Sequence, residues 1–311
     1  MLRDRQPRLY DYLYQLRRKQ AVLGLVTLLL VEVFYLASVY LIEPFLAVVP
    51  LAPAAEVTGG TTPRGLLIQL SSFATLGLAV LMVSRFIHRR GFVSLIGPPD
   101  LMLRQLIRVV LVLGALVLIV EFVPPDTAFL SYAEMRPLGL WLGLLPLSLL
   151  ALLIQTGAEE LFYRGYVQQQ LAARYERPWV WLVLPSLLFA AAHHSPDLPP
   201  VEALHYVIWA FFFGLAAADL TARSGTLGPA IGFHLVNNAL AFLLYGEAGG
   251  IDSGLALFLF PAEPPPDYLT ALPEMGAEDH LPVTPLFDPA LLFELSGIGL
   301  LWMGARIAIR R

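Results

Sequence analysis

Glu159, Glu160 and Arg164 fall within Gly157–Gly165, which reads G-A-E-E-L-F-Y-R-G and comes at the end of a long, mostly apolar run. An ionisable side chain at the centre of a membrane segment costs about 2.5–3.5 kcal/mol on insertion scales, so such groups need a reason to be there. Glu160 and Arg164 are one helical turn apart and face the same way, which suits a buried ion pair that pins the helix. Glu159 is rotated about 100° from Glu160 and cannot share that position. A second carboxylate with no local partner is a candidate for chemistry.

Two further stretches carry polar groups in apolar surroundings. His193 ends the run Phe189-Ala190-Ala191-Ala192. The alanines leave room for a backbone or a substrate to approach closely, although a histidine at a helix end serves equally as a cap. His194 points elsewhere and reads as structural or interfacial. His234 and Asn238 are four apart and share a face, as interhelical hydrogen-bonding groups also do. Asn237 points to a different face. A carboxylate in a dry cavity can act as a general base near neutral pH, and fixed donors can stabilise an oxyanion. With no Ser or Cys at the key positions of these stretches, the chemistry implied is attack by water, with no acyl-enzyme.

The elements that must position these groups are membrane helices. The chain of 311 residues is 57% hydrophobic and 14% charged, with mean hydropathy +0.68. Soluble domains carry about a quarter charged residues. The apolar residues gather in runs of about 20, the length a helix needs to cross a bilayer core of about 30 Å. The absence of cysteine excludes disulfides, thiol catalysis and Cys-based metal sites. The expectation is an all-α, polytopic transmembrane helical bundle of about eight spans enclosing a polar intramembrane cavity.

Taken in order, residues 1–20 form a basic arm, and the apolar run after it is too long for a signal peptide. Residues 21–311 read as one transmembrane domain. Its spans are expected near Ala21–Glu43, Gly65–Phe86, Leu106–Val123, Leu138–Tyr175, Trp179–Ala192, Val201–Ala222, Leu227–Tyr245 and Pro289–Ile309. Gly91–Leu103 reads as a surface helix or loop. The fourth span is too long for one straight crossing, so a break or strong tilt is expected near Gly157. Glu32, Glu121 and Glu294 stand alone in apolar runs, Asp219 lies near a helix end and His205 near an interface. All five read as structural or interfacial. The loop 247–288 is acidic and holds no Lys or Arg; its composition suits a solvated connector outside the membrane. Basic residues crowd the arm, Arg85–Arg108, Arg174, Arg177, Arg223 and the C-terminal end. By the positive-inside rule both termini are cytoplasmic, and a prokaryotic plasma membrane is the default compartment.

Glu159-Glu160-x-x-x-Arg164, Phe189-x-x-x-His193 and His234-x-x-x-Asn238, in that order, resemble the three motifs of the CPBP intramembrane proteases. That group includes type II CAAX prenyl endopeptidases and bacteriocin-processing or immunity proteins. The likeness covers about residues 138–246. It implies a helical bundle around a polar cavity open to the cytosol or the bilayer. In that setting Glu159 and His193 would activate a water, His234 and Asn238 would stabilise the oxyanion, and Glu160 and Arg164 would orient the first pair. The partners implied are the bilayer and a membrane-anchored peptide or protein substrate, prenylated or not, with no nucleic acid. Some members are labelled metalloproteases, and Glu159, His193 and His234 are the three ligands a zinc ion would take. The His-Glu-x-x-His helix of the common zinc proteases is absent, and Asn238 beside His234 suits an oxyanion site better, so a metal-free route is expected. Two other readings use the same groups: a proton-coupled transporter, and a non-catalytic immunity or scaffold protein. Missing repeat symmetry weighs against the first and the intact motifs against the second.

Overall fold

The computed structural model describes residues 24–41, 44–46, 49, 51–122, 133–196, 198–261 and 289–310. The basic arm 1–20, the Glu32 side chain and most of the acidic loop lie outside the described residues. Long helices dominate: α1 (Gly24–Tyr40), α2 (Pro63–Ile87), α3 (Pro99–Phe122), α4 (Leu138–Ala172), α5 (Pro178–Ala192), α6 (Pro200–Ser224), α7 (Gly228–Leu244) and α8 (Pro289–Ile309). Among the described residues, α2, α3, α4, α6 and α8 are long and apolar enough to cross a membrane. The expected eight crossings are therefore not all met on length. In particular, α5 has only 15 residues. At 1.5 Å per residue it spans about 22 Å, several ångströms short of a bilayer core.

The helix ends follow from local chemistry. Proline occupies the first turn of α2, α5, α6 and α7, where its missing N–H costs nothing. The Thr62 side chain accepts from the Gly65 N–H to cap α2, and Gly225, in the left-handed region, ends α6. The third helix starts at Pro99, well before the expected Leu106, because Pro99 and Asp100 make a good first turn. No break occurs near Gly157. Helix α4 continues without interruption and instead widens into a π-helical stretch, Leu161–Gln168, directly after Glu160.

The bundle presents apolar side chains outward, including Leu111 at 66% and Ile307 at 74% exposure. Helices apolar on all sides belong in lipid. Inside, α5 packs on α6, α7 on α3, and α8 on both α3 and α6. At one end a small sheet forms from β1 (Glu134–Met135), β2 (Tyr245–Glu247) and β3 (Phe258–Phe260), in the order β1-β3-β2. β1 runs antiparallel to β3 with Glu134 opposite Leu259, and β2 runs parallel to it with Tyr245 opposite Phe258. Arg136 clamps this cap by donating to the Ala256 carbonyl at 2.8 Å and the Ser253 carbonyl at 3.3 Å.

Candidate active site

The buried charges are organised around Glu160. Glu160 and Arg164 are both fully buried, and Arg164 Nη1 donates to Glu160 Oε1 at 2.9 Å. The other arm of the guanidinium donates to the Gly214 carbonyl on α6 at 3.1 Å, and its face lies over the Phe189 ring at 4.8 Å. Gly214 permits this crossing, since a Cβ there would sit 3.0 Å from the Ser186 Cβ on α5. The pair expected as a helix pin thus also ties α4 to α5 and α6. It lies where α4 passes into its π-helical stretch, a distortion found often at functional sites.

Glu160 has a second partner. Its Oε1 also accepts from His234 Nδ1 at 2.8 Å. A carboxylate already receiving a guanidinium N–H is an acceptor, so Nδ1 carries the imidazole proton. His234 Nε2 then faces Glu159 Oε2 at 3.5 Å. Glu159 Oε1 accepts from Gln155 Nε2 at 3.3 Å, while Oε2 is buried with no hydrogen bond of its own. The imidazole of α7 therefore stands between the two adjacent carboxylates of α4. A neutral ring would turn a lone pair toward Glu159 Oε2, so this pair is arranged to share one proton or to bracket a water.

The remaining residues extend the network. Asn238 Nδ2 donates to Gln155 Oε1 at 2.9 Å, and Asn237 Nδ2 donates to Asn238 Oδ1 at 3.2 Å. His193 Nδ1 donates to the Phe189 carbonyl at 2.8 Å. That bond caps an orphan carbonyl at the end of α5 and leaves Nε2 as the acceptor. The His193 ring packs against Phe189 at 4.2 Å and Tyr206 at 5.7 Å. A cavity of about 480 Å³ joins these groups, with Gln155, Phe189, His193, His234, Asn237 and Asn238 in its wall. The second and third sequence motifs thus line one cavity, and the first lies behind its wall, with Glu159 and Glu160 reaching it through His234. His193 reaches it without a hydrogen bond to Glu159, and the direct partner of Glu159 on another helix is His234.

Other polar residues fall out differently. Asp219 is structural as expected, holding Arg223 at 2.6 Å and the Trp302 indole N–H at 3.0 Å. Glu121 is paired with the Tyr245 hydroxyl at 2.9 Å. Burial, and then the Glu121 carboxylate, push the Tyr245 hydroxyl up to about 12, which keeps it a neutral donor at the cavity wall. Glu294, read as structural, also lines the cavity, and so does Tyr206. Gln155 was legible, being a polar residue one turn before Glu159. Glu294, Tyr206 and Tyr245 gave no such signal, because only packing brings their helix ends to the cavity. His194 is exposed.

No group of three or more His, Cys, Asp and Glu side chains close enough to hold a metal ion is found among the described residues. The Nδ1 atoms of His234 and His193 are engaged by Glu160 and the Phe189 carbonyl, which leaves Nε2 as the remaining ring nitrogen of each.

Comparison with known proteins agrees with the motif pattern. Residues 141–240 match the family model described as type II CAAX prenyl endopeptidase Rce1-like. The uncharacterized protein YyaK of Bacillus subtilis (strain 168) is 27% identical over 185 residues, covering 57% of this chain and 60% of that protein. The match therefore spans less than two thirds of the relative's length. No solved structure matches the chain. The segment similar to the Rce1-like type II CAAX prenyl endopeptidase model contains the Glu159-Glu160, Phe189-His193 and His234-Asn238 pairs.

Proposed function

We propose that the chain is an intramembrane endopeptidase that hydrolyses a peptide bond of a membrane-anchored polypeptide. What supports this reading is that His234, in the wall of a cavity shared with His193 and Asn238, is also in contact with Glu159 and Glu160. Glu159, 3.5 Å from His234 of the cavity wall, takes a proton from water as the water oxygen attacks the scissile carbonyl, with His193 in the same wall. Asn238 and His234 face the oxyanion that forms, and Gln155 holds Asn238 in place. With Nδ1–H kept on Glu160, His234 donates from Nε2 in its doubly protonated form. Collapse of the tetrahedral intermediate breaks the C–N bond, and the leaving amine takes the proton held by Glu159. Glu160 and Arg164 position the His234 ring. Donors fixed in a water-poor cavity are a large term in such catalysis. Asn238 beside His234 suits an oxyanion site, which supports a metal-free route. The protein is read as a plasma-membrane protein of a prokaryote with its basic end in the cytoplasm.

Purified protein is to be given a prenylated CAAX-type peptide and a set of membrane-anchored peptides, with and without chelator. Cleavage that persists with chelator and disappears in Glu159→Ala and His193→Ala is the expected result. Undiminished cleavage in both variants sinks the mechanism, and loss with chelator overturns the metal-free route. Solute or ion flux with no cleavage would favour the transporter reading.

A further inference from the structure

The cavity does not sit symmetrically in the bundle. Gln155 is at the midpoint of α4, and His234 is near the middle of α7. From there the wall runs one way only. It continues along the second half of α7 to Ala241, Phe242 and Tyr245, and along the first half of α6 through Phe213, Trp209 and Tyr206. It also takes in His193 at the C-terminal end of α5 and Glu294 in the second turn of α8. The start of α4 and the end of α7, which adjoin β1 and β2 of the cap, lie at this same end. The rim on this side is open: Tyr206 is 44% exposed, and Ala241 and Glu294 are exposed as well.

The charges mark the two ends of the bundle. At the cavity end the described residues include only Arg64 and Arg136 as cations. Arg64 is paired with Glu56 at 2.7 Å and Arg136 is taken up by the cap. The opposite end carries Arg85, Arg89, Arg90, Arg174, Arg177 and Arg223. The bias of Lys and Arg sets orientation in the membrane, with the basic end retained in the cytoplasm.

We infer that the cavity is entered from the non-cytoplasmic side. Its substrate is then a membrane-anchored polypeptide whose scissile segment lies on that side or in the outer half of the bilayer. This rests on the hydrolase reading for the word substrate, and on geometry and charge alone for the side of entry. Water for hydrolysis enters from the same side, and a soluble product leaves there. The resemblance implied an opening to the cytosol or the bilayer; the placement of the wall residues and the arginines points the other way.

The chain has no cysteine, so each introduced cysteine is its only thiol. Full-length Ala241→Cys (rim), Ala248→Cys (cap side) and Glu176→Cys (basic end) are to be expressed in cells and exposed to a membrane-impermeant maleimide. Labelling of Ala241→Cys and Ala248→Cys in intact spheroplasts, with Glu176→Cys labelled only after permeabilisation, is expected. Labelling of Glu176→Cys alone in intact spheroplasts overturns the inference. So does an Ala241→Cys that stays unreactive while Ala248→Cys reacts, because the cavity would then be closed to water from that side. A second arm uses single-span reporter peptides with the scissile segment placed outside or inside. Cleavage of the outer version only is expected, and cleavage of the inner version only overturns the inference. Since labelling needs no turnover, cleavage of neither reporter sinks the hydrolase reading, while the labelling pattern still decides the side of entry.

Discussion

Glu159 and Glu160 are neighbours with opposite demands on the fold. Glu160 compensates a fully buried guanidinium and holds the His234 ring, so neutralising it leaves Arg164 as an unpaired buried charge. Breaking a buried pair in this way costs about 3–5 kcal/mol. Glu160→Gln is therefore expected to lower the thermal unfolding midpoint in detergent strongly and to abolish cleavage with it. Glu159 has one hydrogen bond, to Gln155, and a free carboxylate oxygen. Glu159→Gln keeps the shape and is expected to unfold close to the wild-type midpoint. Its hydrolysis should fall by about 10²–10⁴-fold, the usual size of a general-base contribution. A Glu159→Gln protein that melts as low as Glu160→Gln would show that the two carboxylates share a structural role. Gln155→Ala, which cuts the tie between Glu159 and Asn238, should reduce turnover while leaving Glu160 and Arg164 paired.

The helices place these residues through a few close approaches. A Cβ on Gly228, at the start of α7, would lie 2.2 Å from the Met102 carbonyl oxygen of α3. Backbone cannot yield as a flexible side chain can, so Gly228→Ala must shift α7, at a cost of about 1–3 kcal/mol. Because His234 and Asn238 ride on α7, stability and turnover are expected to fall together. Gly114→Ala on α3 meets nothing within 4 Å and serves as the comparison, with stability unchanged or slightly raised. A second contact joins the segment after α2 to the π-helical part of α4, where His88 Nε2 lies 2.8 Å from the Tyr166 hydroxyl. Burial, then Arg90 and Arg174, hold the His88 ring below its ordinary value of 6.5. A histidine lowered in the folded state stabilises fully above its unfolded value and loses that contribution as the pH falls. The unfolding midpoint should thus decline below pH 6.5, with a shallower decline in His88→Gln.

At the scale of the molecule, the bundle is closed at its cavity end by a small cap. Tyr245 leaves α7, enters β2 and donates to Glu121, joining the cavity wall to the sheet. Arg136 is the main side-chain clamp on the loop before β3. Hydrogen bonds to a charged group contribute about 1.5–3 kcal/mol. Arg136→Ala should speed hydrogen exchange in residues 246–257 with little change in the bundle helices. An equal increase in α5 and α6 would mean that the cap and the bundle open as one unit.

By itself the sequence determined the class of molecule and most of the site. Runs of about 20 apolar residues can satisfy their backbone groups in lipid only as helices, and α8 begins and ends where its apolar run does. The cost of charge in such runs singled out Glu159, Glu160 and Arg164, and helical spacing paired Glu160 with Arg164 and His234 with Asn238. The tertiary structure alone decided what meets across helices, because spacing along one helix says nothing about the face a second helix presents. Thus His234 came between the two glutamates, Gln155 reached Asn238, and Glu294 reached the cavity. Local packing also replaced the expected break at Gly157 with π-helical turns after Glu160. Near Gly157 the chain has open space and nothing that forces a bend, whereas Arg164 must reach Glu160, Gly214 and Phe189 at once.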